Sequence, residues 1–75
     1  MKNADFEKIK DEGVRELGVN LDKSGLSWSW AANKLDVTPS TMGRILSGKY
    51  RPSLEMALEM KALAETVKKI MAAGV

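Results

Sequence analysis

Two helix-start signals eleven residues apart, Ser27 and Thr38-Pro39, constrain this chain more than any other feature. Ser27 and Thr38 are N-cap residues, and Pro39 suits a first helical position because the N–H it lacks would have had no partner there. The pattern predicts two short helices joined by a tight turn and left by the basic run Gly48-Lys49-Tyr50-Arg51-Pro52-Ser53. On the first helix Ala31, Ala32 and Leu35 fall within a narrow arc at about 100° per residue. On the second, Met42, Ile45 and Leu46 share one side, and Ser40, Gly43, Arg44 and Ser47 share the other. One face is therefore apolar, and the opposite face is small, polar and carries a single cation.

Charge gathers on the same stretch. The chain's net charge is only +2, but residues 23–53 hold Lys23, Lys34, Arg44, Lys49 and Arg51 against Asp36 alone, a balance of +4. The remainder holds seven cations and nine acids, a balance of −2. Charge of one sign on one segment is the footprint of a nucleic-acid surface, the plainer reading being a solvated lysine-rich loop. With no cysteine and no histidine, the chain has no disulfide, no thiolate metal site and neither of the commonest catalytic bases and zinc ligands. No catalytic constellation can be assembled, so an enzyme, a metal, a cofactor and a small-molecule substrate are not expected. No apolar run approaches the roughly 18 residues of a membrane span and no secretory apolar stretch opens the chain, which points to a cytoplasmic protein without membrane partners.

At 75 residues this is one domain, 1–75, near the size where burial only just offsets chain entropy. A helix from residue 4 to about 21 carries Phe6, Ile9, Gly13, Val14, Leu17 and Leu21 on one face. Gly13 and Gly18 each weaken it by about 1 kcal/mol, and Gly18 is a candidate terminus, with Asp22-Lys23-Ser24-Gly25 as a polar turn. The last helix starts at the cap Ser53 and runs over about 54–72. On it Met56, Met60, Leu63, Val67 and Ile70 are spaced 4, 3, 4 and 3, a coiled-coil seam, while Leu54 and Leu58 lie about 140–200° away around the helix. Two apolar faces suggest two tasks. Leu54 and Leu58 would close the core with Phe6, Ile9, Leu17, Ala32, Leu35, Val37, Met42, Ile45 and Leu46. The seam would meet a second copy or a further C-terminal part of the chain, unless its first half is core and its second half frays.

From Gly25-Leu26-Ser27 through Lys34-Leu35-Asp36-Val37-Thr38 to Gly48-Lys49-Tyr50-Arg51-Pro52-Ser53, the chain resembles helix-turn-helix proteins of the lambda repressor/Cro type, the Xre-like regulators of bacteria, phages and plasmids. The resemblance spans the motif at 27–47 and its exit. It rests on Ala32 within the first helix, Val37 after the turn, and the pair Met42 and Ile45 on the second. It implies an all-α, compact four- to five-helix fold and a sequence-specific double-stranded DNA-binding transcriptional regulator. Three positions depart from the family pattern: Asp36 stands at the usual turn glycine, Trp28 at the usual glutamine, and Pro39 at an early position that in relatives often touches a base.

Base reading then falls to Ser40, Thr41, Gly43, Arg44 and Ser47. Arg44 suits guanine O6 and N7, or alternatively a phosphate, and Gly43 lets the helix lie close to the groove. Ser27, Trp28, Lys34, Thr38, Lys49, Tyr50 and Arg51 are the candidates for the DNA backbone. Trp30 is either an exposed anchor for another protein or buried against the loop at 22–26. Within DNA binding, a repressor or autoregulator, an antitoxin and a plasmid-maintenance factor all fit, each nucleoid- or plasmid-associated. From a different class, a protein–protein adaptor using the same scaffold and the Met-rich last helix fits as well.

Overall fold

Two long helices and two short ones make up the protein: α1 (Asn3–Ser24), α2 (Trp28–Lys34), α3 (Pro39–Leu46) and α4 (Leu54–Ala73). The computed structural model describes residues 3–74, with side chains from Lys10 onward, and among these there is no strand. The core positions expected at Phe6 and Ile9 lie outside the described side chains.

The caps fall where the sequence puts them. The Ser27, Thr38 and Ser53 hydroxyls accept from the N–H groups of Trp30, Thr41 and Met56 at 3.0, 3.1 and 3.1 Å. Helix α1 does not stop at Gly18. It continues to Ser24 and ends at Gly25, whose φ of +77° only glycine adopts freely and whose N–H donates to Leu21 O at 3.0 Å. Asp22, Lys23 and Ser24, expected in a turn, are therefore helical. Leu17 and Leu21, on either side of Gly18, are both fully buried, and their burial outweighs the roughly 1 kcal/mol that a mid-helix glycine costs.

The two long helices run side by side in the same direction. Gly13 of α1 abuts Ala57 of α4, and seven residues on in both helices the Asn20 side-chain amide donates to Ala64 O at 3.0 Å. The offset between partners is 44 residues at both points, so the register holds over two turns. At the start of this pair Lys61 meets Glu12 at 3.5 Å and Arg51 meets Asp11 at 3.7 Å, exposed pairs that contribute little energy. Parallel helices need a connection that travels back. Helices α2 and α3 supply it, packed on each other, with α3 also resting on α1 where Leu46 lies 3.8 Å from the position of a β-carbon on Gly18.

One cluster forms the core: Leu17, Leu21, Ala31, Ala32, Met42, Ile45, Met60, Leu63, Ala64 and Val67. Here the expectation for α4 is reversed. Met60, Leu63 and Val67 of the proposed intermolecular seam are buried in the chain's own core, Met56 packs against it half-buried, and only Ile70 is exposed, at 44%. Leu58, expected in the core, is 49% exposed, and Leu54 is half-buried on the same side. The 3–4 spacing does mark a helix-pairing seam, and α1 of the same chain is the partner. No helix among the described residues is long and apolar enough to cross a membrane.

The glycines of α1 give a test with opposite signs. A β-carbon on Gly13 would sit 2.6 Å from the Ala57 carbonyl oxygen, a backbone atom that cannot swing aside, whereas one on Gly18 meets only the Leu46 side chain at ordinary contact distance. Gly13→Ala should destabilise by about 1–3 kcal/mol, and Gly18→Ala should stabilise by up to about 1 kcal/mol. Urea denaturation of both variants measures the two effects.

Candidate nucleic-acid interface

The turn between α2 and α3 fixes what α3 presents. After the C-cap Leu35, Asp36 takes a φ of 57°, and the Val37 N–H donates to Ala32 O at 3.0 Å. Aspartate is among the few non-glycine residues that tolerate this left-handed conformation, so the turn survives the missing glycine. Ala31 and Ala32 are buried without side chains large enough to hold the helices apart, and Met42 and Ile45 are buried beneath them. Val37 and Leu35 pack half-buried at the margin of the same core.

With its inner face thus committed, α3 shows solvent Pro39, Ser40, Arg44 and Ser47, while Thr41 and Gly43 are half-covered. The hydroxyls differ in what they have left to offer. The Thr38 hydroxyl both caps the helix and donates to Thr41, the Ser47 hydroxyl donates back to Arg44 O at 3.2 Å, and the Ser27 hydroxyl caps as an acceptor and keeps its hydrogen. Thr41 Oγ1 accepts from Thr38 Oγ1 at 2.9 Å, which leaves its own hydrogen free to donate outward. Gly43 faces Trp28, two of whose ring carbons lie 3.9 Å from the site of a β-carbon. Trp28 therefore bridges the start of α2 and the middle of α3 while staying 46% exposed.

Trp30 is not a bare anchor. It packs half-buried against the core, and Lys34 Nζ stands 5.7 Å above its ring, a cation–π contact that occupies one of the cations assigned to the DNA backbone. Arg44 and Lys49 are exposed and form no ion pair among the described residues, whereas Arg51 reaches back to Asp11.

The exit from α3 is more ordered than a basic run suggests. The Arg44 carbonyl accepts from the Lys49 N–H at 2.9 Å and the Tyr50 N–H at 3.1 Å, besides the Ser47 hydroxyl. Gly48, at φ +84°, makes the reversal, and Pro52 is buried. The chain thereby folds back on α3 and sets Tyr50 beside Thr41 and Arg44, around a small depression of about 160 Å³. On its other side Tyr50 borders a groove of about 570 Å³ shared with Lys49, Arg51 and Arg15 of α1. Arg15, exposed and lying between this groove and Trp28, extends the basic surface beyond residues 23–53. No sequence window finds it, because its neighbours on this surface come from the far end of the α2–α3 connection. Among the described residues no group of carboxylates stands together as metal ligands.

The chain matches no family model, no curated protein and no solved structure. Function is therefore read from this surface alone: a helix packed on one side, with polar and cationic side chains standing out on the other.

The turn itself can be checked. With φ at 57°, Asp36→Val should destabilise by about 1–2 kcal/mol. Asp36→Gly should match or exceed the parent, since glycine adopts this conformation without strain. Thermal melting by circular dichroism distinguishes the two substitutions.

Proposed function

We propose that this protein is a sequence-specific, non-enzymatic double-stranded DNA-binding regulator of the lambda repressor/Cro kind, with α3 lying in the major groove. The observation that carries this reading is the division of α3 into two faces. Met42 and Ile45 are buried, and Ser40, Arg44 and Ser47 stand exposed opposite them, with Arg44 free of any ion pair among the described residues. An α-helix fits the major groove, and an exposed arginine on its last turn matches the paired acceptors of guanine. Lys49, Arg51 and Arg15 flank α3 and supply phosphate contacts. The Arg51–Asp11 pair is solvent-exposed and weak enough to be exchanged for a phosphate. The resemblance leaves repressor, antitoxin and plasmid-maintenance roles equally served.

Duplex affinity should fall with salt at a slope of log K against log[salt] of roughly −3 to −5. Arg44→Ala should cost about 1–3 kcal/mol at the preferred site and relax choice at one base pair, while Lys49→Ala should weaken all sequences alike. Gly43→Ala should stabilise the fold by up to about 1 kcal/mol, as the added methyl finds ordinary contact with Trp28, yet weaken DNA binding by holding α3 away from the groove. Fluorescence anisotropy with selected and random duplexes measures these effects. A salt-independent response would remove the basic surface from the reading.

One observation favours the second reading, an adaptor that binds protein: Leu58, at 49% exposed, lies beside half-buried Leu54 on the outer side of α4. An adaptor would shift no duplex at any salt concentration. Pairing of two copies through the Met56–Ile70 seam would require α1 to leave α4, because Met60, Leu63 and Val67 are already buried.

A further inference from the structure

Tyr50 stands apart from the two cations beside it in the exit run. Its backbone N–H is bound to Arg44 O at 3.1 Å, so the turn after α3, and not chance side-chain placement, holds its ring next to that helix. The ring is 56% exposed and encloses, with Thr41 and Arg44, the depression on the outer face of α3. Thr41 and Arg44 are three residues apart and therefore share that face. Each group lining the depression is able to donate. Arg44 offers only N–H donors, Thr41 has its hydroxyl hydrogen free because its oxygen accepts from Thr38, and the Tyr50 phenol carries one more. The aromatic face adds a rigid wall that limits where the Arg44 guanidinium can swing.

Of the three only Arg44 cannot accept, so the guanidinium is what selects against base edges that present a donor, and the Tyr50 ring keeps it aimed into the recess. In the major groove adenine shows its N6 amino group, cytosine its N4 amino group, and thymine a methyl group beside a single acceptor. Guanine alone offers two acceptors and no donor. We propose that Tyr50 is a specificity-determining residue, which with Thr41 and Arg44 completes a recess for one guanine edge and does not serve as a phosphate contact. This rests on the DNA-binding reading above and adds to it a residue outside α3 that decides sequence choice.

The test compares the intact chain with Tyr50→Ala, Tyr50→Phe and Lys49→Ala, on a duplex selected from a random pool, the same duplex with its critical G·C pair changed to A·T, and a random duplex. The ratio of affinities for the first two duplexes is the readout. Tyr50→Ala should reduce that ratio about tenfold and leave the random duplex within about twofold. Tyr50→Phe keeps the wall and should retain most of the ratio, which a merely unfolded or loosened variant would not do. Lys49→Ala should lower all three affinities and leave the ratio unchanged. If Tyr50→Ala weakens all three duplexes equally, Tyr50 is a backbone contact and the inference is overturned, with the DNA-binding function left standing. If Tyr50→Phe loses the ratio as fully as Tyr50→Ala, the ring does not act as a wall for the Arg44 guanidinium and the inference is overturned. Absence of any duplex binding by the intact chain would instead overturn the function itself.

Discussion

The close approach of α1 and α4 sets the terms for everything else. Gly13 lies so near the Ala57 carbonyl that no larger residue fits, and one heptad on the Asn20 amide reaches the Ala64 carbonyl. Small residues at Gly13, Ala57 and Ala64 bring the helix axes together, which buries Leu17, Leu21, Met60 and Val67 between and beside them. The only strongly buried polar side chain among the described residues, Asn20, sits in this contact with its amide nitrogen donating across to α4. It pins the register where apolar packing alone would tolerate a slip. Because the helices are parallel, the chain must return from the end of α1 to its beginning before α4 can start. The α2–α3 pair is that return path, and the candidate interface lies on it.

The local signals were legible in the sequence and the long-range ones were not. Ser27, Thr38-Pro39 and Ser53 marked three helix starts and Gly25 the turn after α1, because caps and turns depend on neighbours a few residues away, whereas Asp36 was placed in its turn only by the resemblance. The burial of Ala32, Met42 and Ile45 followed from periodicity. Periodicity failed at α4, where two apolar stripes competed and their spacing alone does not say which of them meets α1. The interleaved small residues, Ala57 and Ala64 among larger ones, were the available clue, since only the stripe containing them allows close packing. Gly18 misled for a related reason: a helix breaker is weak against two buried leucines flanking it.

At the candidate site the residue types were readable but their allegiances were not. Thr38 and Ser47 were candidates to meet DNA, yet their hydroxyl hydrogens are already given to Thr41 and to Arg44 O, while Ser27 caps as an acceptor and keeps its own. Lys34 is held over Trp30 and Arg51 near Asp11, which leaves Lys23, Arg44 and Lys49 as the cations of residues 23–53 with no such tie among the described residues. Arg15 joins them from a helix more than twenty residues earlier in the chain. Net charge summed along a segment therefore overstates some cations and omits another, because what a phosphate meets is a surface, and the fold decides which residues share it.

The exit from α3 shows how stability and recognition divide between neighbouring atoms. The Arg44 backbone carbonyl gathers three donors from Ser47, Lys49 and Tyr50, while the Arg44 side chain points into solvent. One residue thus anchors the turn through its main chain and leaves its guanidinium uncommitted. Substituting the side chain leaves the carbonyl and its donors in place, so the turn does not depend on the guanidinium. Gly48 completes the arrangement, since its left-handed conformation directs the chain back over α3. A longer or looser exit would still carry Lys49 and Arg51 to a phosphate, because long flexible cations find a charged backbone from many starting points. It would not hold an aromatic ring at a fixed place beside α3. The ordered turn is thus needed by Tyr50 and not by the cations around it, and under the proposed DNA-binding function the geometry of the exit would bear on sequence choice more than on affinity.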